Sequence, residues 1–110
     1  MILDRYKNGE RSFIGEEFDA SELDLRDVNL AGSDFSNTWF LADFRGANLE
    51  NSRFENANVK TCDFRNSNLK NATFAGAAIC GAKFEGANMD GTIFTGAHAY
   101  GYEFSVNEKP

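Results

Sequence analysis

Large apolar residues recur at every fifth position along most of this chain. In each unit a small residue stands two positions before the large one, and Gly or Asn usually stands two positions after it, as in Ala42-Asp43-Phe44-Arg45-Gly46 and Ala47-Asn48-Leu49-Glu50-Asn51. A five-residue period fits neither an α-helix nor the strict alternation of a β-strand. Gly and Asn tolerate positive φ best, so the pattern predicts short extended segments with a bend in every unit.

The identity of the large residues indicates how the units stack. Phe alternates with aliphatic residues along the run, so a coil of four units, about 20 residues, would place like residues above one another. We name the four predicted walls by one residue each: the Phe44 wall (Phe44, Phe64, Phe84 and Phe104), the Leu49 wall (Leu30, Leu49, Leu69 and Met89), the Phe54 wall (Phe35, Phe54, Phe74 and Phe94) and the Ile79 wall (Phe40, Val59, Ile79 and Ala99).

These units resemble the pentapeptide-repeat family, whose motif is Ala-(Asp/Asn)-(Leu/Phe)-x-x. The segments at 42–46, 47–51 and 87–91 carry the motif, and the resemblance extends from Phe13 to Phe104. It implies an all-β fold, a right-handed quadrilateral β-helix of about four to five coils. We therefore expect an N-terminal cap at 1–12, the pentapeptide-repeat β-helix at 13–104 and a C-terminal tail at 105–110.

Both ends of the coil need cover, because an open end exposes unpaired backbone and apolar core. Residues 3–7 are predicted to form a short helical cap that ends at Asn8-Gly9. At the other end, Tyr100 and Tyr102 are expected to cover the last coil before a frayed tail at 105–110.

The first turn and the unit at 38–41 depart from the pattern. In the first turn Phe13 and Phe18 are predicted to take the normally small position, with Gly15 and Ala20 at the centre. The unit at 38–41 has only four residues, which predicts a tighter or distorted corner.

The residues on either side of each large residue are expected to point outward. On the Phe44 wall they form a lattice of Asp and Arg, and on the Leu49 wall a ladder of Asn. The Ile79 wall is the least charged, so we predict an interaction surface there. The alternative interpretation is that Trp39 and Leu41 only fill the irregular corner. The candidate residues are Trp39, Leu41, Cys80, His98 and Tyr100.

Candidate chemistry is sparse. His98 is the only His and has no evident Asp or Ser partner. Cys62 falls at an inward position and Cys80 points outward, which argues against a disulfide between these two cysteines. No Cys or His pair has metal-ligand spacing. We therefore predict no catalytic, cofactor-binding or metal-binding residue, and no enzyme.

The chain of 110 residues carries a net charge of -6. It has no apolar run of bilayer length, and charges stand where a signal peptide needs its apolar core, so a cytoplasmic location is expected unless a leader has been removed. We expect no membrane partner and no direct nucleic-acid contact.

Two functions remain open. The first is a non-enzymatic structural or protein-interaction module, with an unidentified protein partner or a second copy in a homodimer. The second follows from the resemblance: some family members mimic DNA, bind DNA gyrase and protect against quinolones. That role needs a coherent negative field, whereas residues 24–104 hold ten acidic and seven basic side chains.

Overall fold

The computed structural model describes residues 1–110, and its backbone coils so that each unit pairs in parallel with the unit one coil further on. Within one coil four such pairs follow each other at five-residue intervals: Asp43 with Asp63, Asn48 with Asn68, Arg53 with Thr73, and Asn58 with Ala78. Each coil therefore has four sides, one unit to a side. The molecule measures 37 × 26 × 20 Å.

Each regular five-residue unit ends in a corner residue with positive φ. At Asn51, Asn56, Asn66 and Asn71 φ lies between 58° and 60°, and at Gly76 it is 71°. These are the residue types that reach this region at least cost, which explains their place in the repeat.

Where Asp or Asn precedes the large residue of a unit, it has a local structural role. Its side-chain Oδ1 accepts a hydrogen bond from the backbone N–H two residues later, at 3.1 Å from Arg45 to Asp43 and at 3.1 Å from Glu50 to Asn48. This Asx-type bond stabilises the turn that follows. On the Leu49 wall all four residues of the Asn ladder make it: Asn29, Asn48, Asn68 and Asn88.

The core consists of stacked rings, as the alternation of the large residues predicts. On the Phe44 wall the ring of Phe64 lies 5.0 Å from that of Phe44 and 5.3 Å from that of Phe84, nearly parallel to both. The rings of the Phe54 wall stack in the same way and meet Phe64 edge to face. Small residues such as Ala47 and Ala72 are buried among these rings.

The predicted size swap in the first coil is wrong. The ring of Phe13 stacks on Phe35 at 5.2 Å and that of Phe18 on Phe40 at 4.8 Å, so both occupy central positions. Ser12 and Asp34 pair across 22 residues, two more than the regular repeat. These two extra residues displace the five-residue period in the first coil. Counting back from Leu25 in steps of five therefore assigns Phe13 and Phe18 to the wrong positions.

The extra residues lie in the longest strand. Strand β1, Glu17–Asp24, pairs in parallel with β2, Trp39–Asp43, and its register shifts between Phe18 and Leu23. β2 contains Trp39, Phe40 and Leu41 of the four-residue unit at 38–41, and Leu41 has no positive φ. The short unit thus produces no tight corner, because the chain remains extended through it.

A short helix lies across the first coil. Helix α1, Ile2–Lys7, buries Ile2 in the core, and its Tyr6 hydroxyl donates a hydrogen bond to the Ala31 carbonyl at 2.8 Å. The Arg5 guanidinium lies 4.7 Å from the ring centre of Phe13 and pairs with Glu16 at 2.6 Å. No helix in the structure is long and apolar enough to cross a bilayer.

The chain reverses at its C-terminal end. Strand β3, His98–Ala99, pairs antiparallel with β4, Tyr102–Glu103, and the two pairs β1–β2 and β3–β4 are open two-stranded sheets. The reversal places the Phe104 ring 6.2 Å from that of Phe94. The predicted place of Phe104 on the Phe44 wall, above Phe84, is therefore wrong.

The last residues contact the coil. The Lys109 ammonium donates to the Met89 carbonyl at 2.5 Å, and Glu108 accepts hydrogen bonds from Tyr102 and Ser105. Residues 105–110 are nevertheless mostly exposed, and the frayed tail stays a prediction. Tyr102 packs its ring against Phe104, but Tyr100 points outward and does not cover the end as predicted.

Candidate interaction surface

The outward residues of the Ile79 wall form two columns. Trp39, Asn58, Ala78 and His98 follow one another in parallel backbone pairs, one per coil. Leu41, Lys60, Cys80 and Tyr100 stand on the other side of the same large residues. We call this set of eight residues the Ile79 wall surface.

Trp39 presents its indole at the N-terminal end of this surface. It lies in β2, its backbone N–H donates to the Glu16 carbonyl at 3.2 Å, and its side chain is 52% exposed. Leu41, two residues further along β2, is half-buried. The extended unit that holds both residues therefore does not bury the indole.

Tyr100, Cys80 and His98 lie together at the C-terminal end of the surface. Tyr100 is 83% exposed, and its backbone N–H donates a hydrogen bond to the Cys80 sulfur at 3.0 Å. His98 is exposed and lies in β3. The positive φ of Tyr100, 51°, comes where the chain leaves the coil.

The predicted residues thus fall into two groups. Three backbone pairs of about 4.8 Å separate Trp39 from His98, so the two groups lie about 14 Å apart. Asn58, Lys60 and Ala78 lie between them. The surface has two aromatic ends and a mostly polar centre, which the sequence did not predict.

Charge is concentrated on the other walls. On the Phe44 wall Asp43 pairs with Arg45 at 2.7 Å and Asp63 with Arg65 at 2.6 Å, and Arg45 lies 3.7 Å from Asp63 one coil away. The hydrogen bonds from Arg45 and Arg65 hold the pKa of Asp43 and of Asp63 below its usual value. No ion pair involves any residue of the Ile79 wall surface.

The reactive side chains are not grouped into a site. Both cysteines are free, and burial raises the pKa of the Cys62 thiol to about 12. No three His, Cys, Asp or Glu side chains lie close enough together to hold a metal ion. A cleft of about 310 Å³ between α1 and β1 is a feature that the sequence did not reveal.

Parallel coils of stacked five-residue units define a repeat protein of the β-solenoid class. More specifically, the chain belongs to the pentapeptide repeat family: the model for pentapeptide repeats matches eight copies, at residues 41–59 and 60–96. No curated protein sequence matches the chain.

Solved structures of the family share the fold. A pentapeptide repeat protein from Nostoc PCC 7120 is 24% identical, with a TM-score of 0.71 over 89% of this chain and 92% of that one. A pentapeptide repeat protein of the Arabidopsis thaliana thylakoid lumen is 20% identical, with a TM-score of 0.50 over 84% and 71%. These neighbours imply a right-handed β-helix.

A more distant similarity links the chain to QnrB1, a plasmid-mediated fluoroquinolone resistance protein. It is 18% identical, with a TM-score of 0.39 over 78% of this chain and 71% of that one. This level of similarity supports no inference about function.

Proposed function

We propose that this chain is a non-enzymatic pentapeptide-repeat module that binds another protein through the Ile79 wall surface. In this proposal residues 13–104 form the four-sided β-helix, residues 1–12 cap its first coil and residues 105–110 are a tail. The proposal also places the protein in the cytoplasm. Recovery of the native protein in a membrane or secreted fraction would contradict that location.

The observation that carries the proposal is the exposure of Trp39 and Tyr100 on one wall. Tyr and Trp are enriched among the side chains that dominate protein–protein binding energy. Lys60 and His98, the residues of the Ile79 wall surface that can carry charge, take part in no ion pair, so a partner that covers this surface breaks none.

The rigid core supports the same function. Because the Ile79 wall surface stands on coils that are joined by backbone hydrogen bonds and stacked side chains, its residues lose little freedom on binding. Preorganisation of this kind lets a small surface bind with useful affinity.

The gyrase alternative has no specific structural observation in its favour. The acidic residues of the Phe44 wall at Asp24, Asp43 and Asp63 each pair with an Arg two residues later. Mixed charges at this spacing weaken the continuous negative field that a DNA mimic requires.

A matched pair of variants tests the proposed surface. Trp39→Ala with Tyr100→Ala removes the two exposed aromatic side chains of the Ile79 wall surface. The control, Ile14→Ala with Ile93→Ala, removes two exposed side chains from the Phe54 wall, where they are 53% and 49% exposed. Thermal melts of all proteins by circular dichroism verify that the coil remains folded.

The readout is quantitative capture of proteins from the source cells, with sedimentation to detect self-association. Loss of one hot-spot side chain costs about 2 kcal/mol, or about 30-fold in Kd. The wild type and the control should retain the same partner, and the Trp39/Tyr100 variant should lose most of it. Equal retention by all three proteins would refute the proposed surface.

A further inference from the structure

The first coil carries a strand edge that no other strand covers. β1 is eight residues long and pairs with β2 alone, so its second edge has no strand partner. A free edge presents backbone N–H and C=O groups on which an extended chain can add a strand. The regular units of the coil are too short to offer such an edge.

An apolar cleft runs beside this edge. It has a volume of about 310 Å³ and lies between α1 and β1. Phe18 and Leu23 are half-buried in it, and Ala20 is exposed. The residues that line the cleft are Met1, Ile2 and Arg5 on one side, and Glu17, Phe18, Ala20, Ser21 and Leu23 on the other.

The charge along β1, beside the cleft, is negative. Glu17, Asp19 and Glu22 are exposed and form no ion pair, and residues 12–25 contain no Lys or Arg. Arg5 on the facing side is already paired with Glu10 and Glu16. A second copy of β1 would bring like charges opposite each other, which is destabilising, whereas a basic segment would find complementary charge.

We propose that the free edge of β1 binds an extended basic segment of a partner protein, which adds a strand to β1 and inserts an apolar side chain into the cleft. This inference goes beyond the proposed function, because it uses the edge of β1 and the α1 cleft and not the Ile79 wall surface. The two surfaces border each other at the backbone pair of Glu17 and Trp39.

The probe is a labelled seven-residue peptide, Lys-Leu-Lys-Val-Lys-Leu-Lys, acetylated and amidated at its ends. Two further peptides separate the contributions: one replaces every Lys by Glu, and the other replaces Leu and Val by Ser and Thr. Fluorescence anisotropy with the full chain should give a Kd for the first peptide at least tenfold below that of either of the others.

Three variants locate the site. Glu17→Lys with Asp19→Lys and Glu22→Lys reverses the charge beside the cleft and should raise the Kd at least tenfold, and Ala20→Trp fills the cleft and should do the same. The matched control, Glu85→Lys with Asp90→Lys and Glu103→Lys, makes the same charge change at exposed residues elsewhere and should stay within threefold of wild type.

Two results would overturn the inference. One is equal binding of the first peptide to the wild type and to the charge-reversed variant, which would place the peptide elsewhere. The other is a wild-type dimer in sedimentation that Ala20→Trp dissociates, which would make a second copy the occupant. The Trp39→Ala/Tyr100→Ala variant should keep its Kd for the first peptide within threefold of the wild-type value. Peptide binding therefore tests the β1 edge, and capture of the cellular partner tests the Ile79 wall surface, so the two proposals can fail separately.

Discussion

Replacing Gly76 by Ala tests how the corners of successive coils fit together. Gly76 has a φ of 71°, and a Cβ at this position would lie 2.2 Å from Oδ1 and 3.3 Å from Cγ of Asn56, the corner residue one coil earlier. Gly76→Ala therefore destabilises the fold in two ways. Ala is strained at a positive φ, and its Cβ collides with the Asn56 side chain.

The two costs have different magnitudes. Ala in the left-handed region costs about 1–2 kcal/mol relative to Gly. Asn56 is exposed and can rotate away, at a further cost of about 0.5–1.5 kcal/mol for an unfavourable rotamer. We expect Gly76→Ala to lower the free energy of unfolding by about 1.5–3.5 kcal/mol, which corresponds to a Tm decrease of about 4 °C for each kcal/mol.

Gly32 provides the matched control. Its φ is 73°, but a Cβ there would meet no atom within 4 Å, because no coil precedes it. Gly32→Ala should therefore show only the backbone cost, about 1–2 kcal/mol. Adding Asn56→Gly to Gly76→Ala should remove the collision and leave the backbone cost alone.

Urea unfolding followed by far-UV circular dichroism measures these differences. Equal losses for Gly76→Ala and Gly32→Ala would refute the proposed corner contact, and so would a failure of Asn56→Gly to reduce the loss.

Three further predictions concern the core, the corners and the charges. Phe64→Ala should cost about 3–5 kcal/mol in urea unfolding, because the buried ring is stacked between Phe44 and Phe84; a loss below about 2 kcal/mol would contradict the ring ladder. Thr61→Asn should raise the free energy of unfolding by about 1 kcal/mol, because Thr61 is β-branched and has a φ of 63°; an unchanged or lower Tm would count against this reasoning. The third prediction concerns Asp43 and Asp63, whose folded-state pKa values are lowered by Arg45 and Arg65. Their ion pairs therefore stabilise the folded state fully above the unfolded-state pKa of about 3.9. This stabilisation is lost as the pH falls through the folded-state pKa. Asp43→Asn with Asp63→Asn keeps the Oδ1 acceptor of each residue and should lower the Tm slightly at pH 7 while flattening its decrease below about pH 4; a wild-type pH profile in this variant would exclude the mechanism.

The sequence predicts the middle of the coil well, because residues 42–97 keep an unbroken five-residue period. Every residue then has a fixed place relative to the large residue of its unit, so Phe64 is expected inside and Cys80 outside. Extended beyond 42–97 in both directions, the same rule places Trp39 and Tyr100 on the outer surface, where the structure has them, although Tyr100 does not cover the last coil as was also predicted.

The ends are less predictable, because the period does not show where stacking stops. Phe104 lies at a regular position in the sequence, but the turn at Tyr100 and Gly101 reverses the chain and moves its ring next to Phe94. At the other end the two extra residues in β1 shift Phe13 and Phe18. The cleft beside β1 depends on where α1 lies, which no short sequence pattern encodes.

The proposed function requires that the protein binds a protein partner through its Ile79 wall surface. The most direct measurement incorporates a photocrosslinking amino acid at position 100 in the source cells, with position 14 on the Phe54 wall as the comparison. We expect one dominant crosslinked protein from position 100 that is absent from position 14. No crosslinked product at position 100, or the same products from both positions, would contradict it.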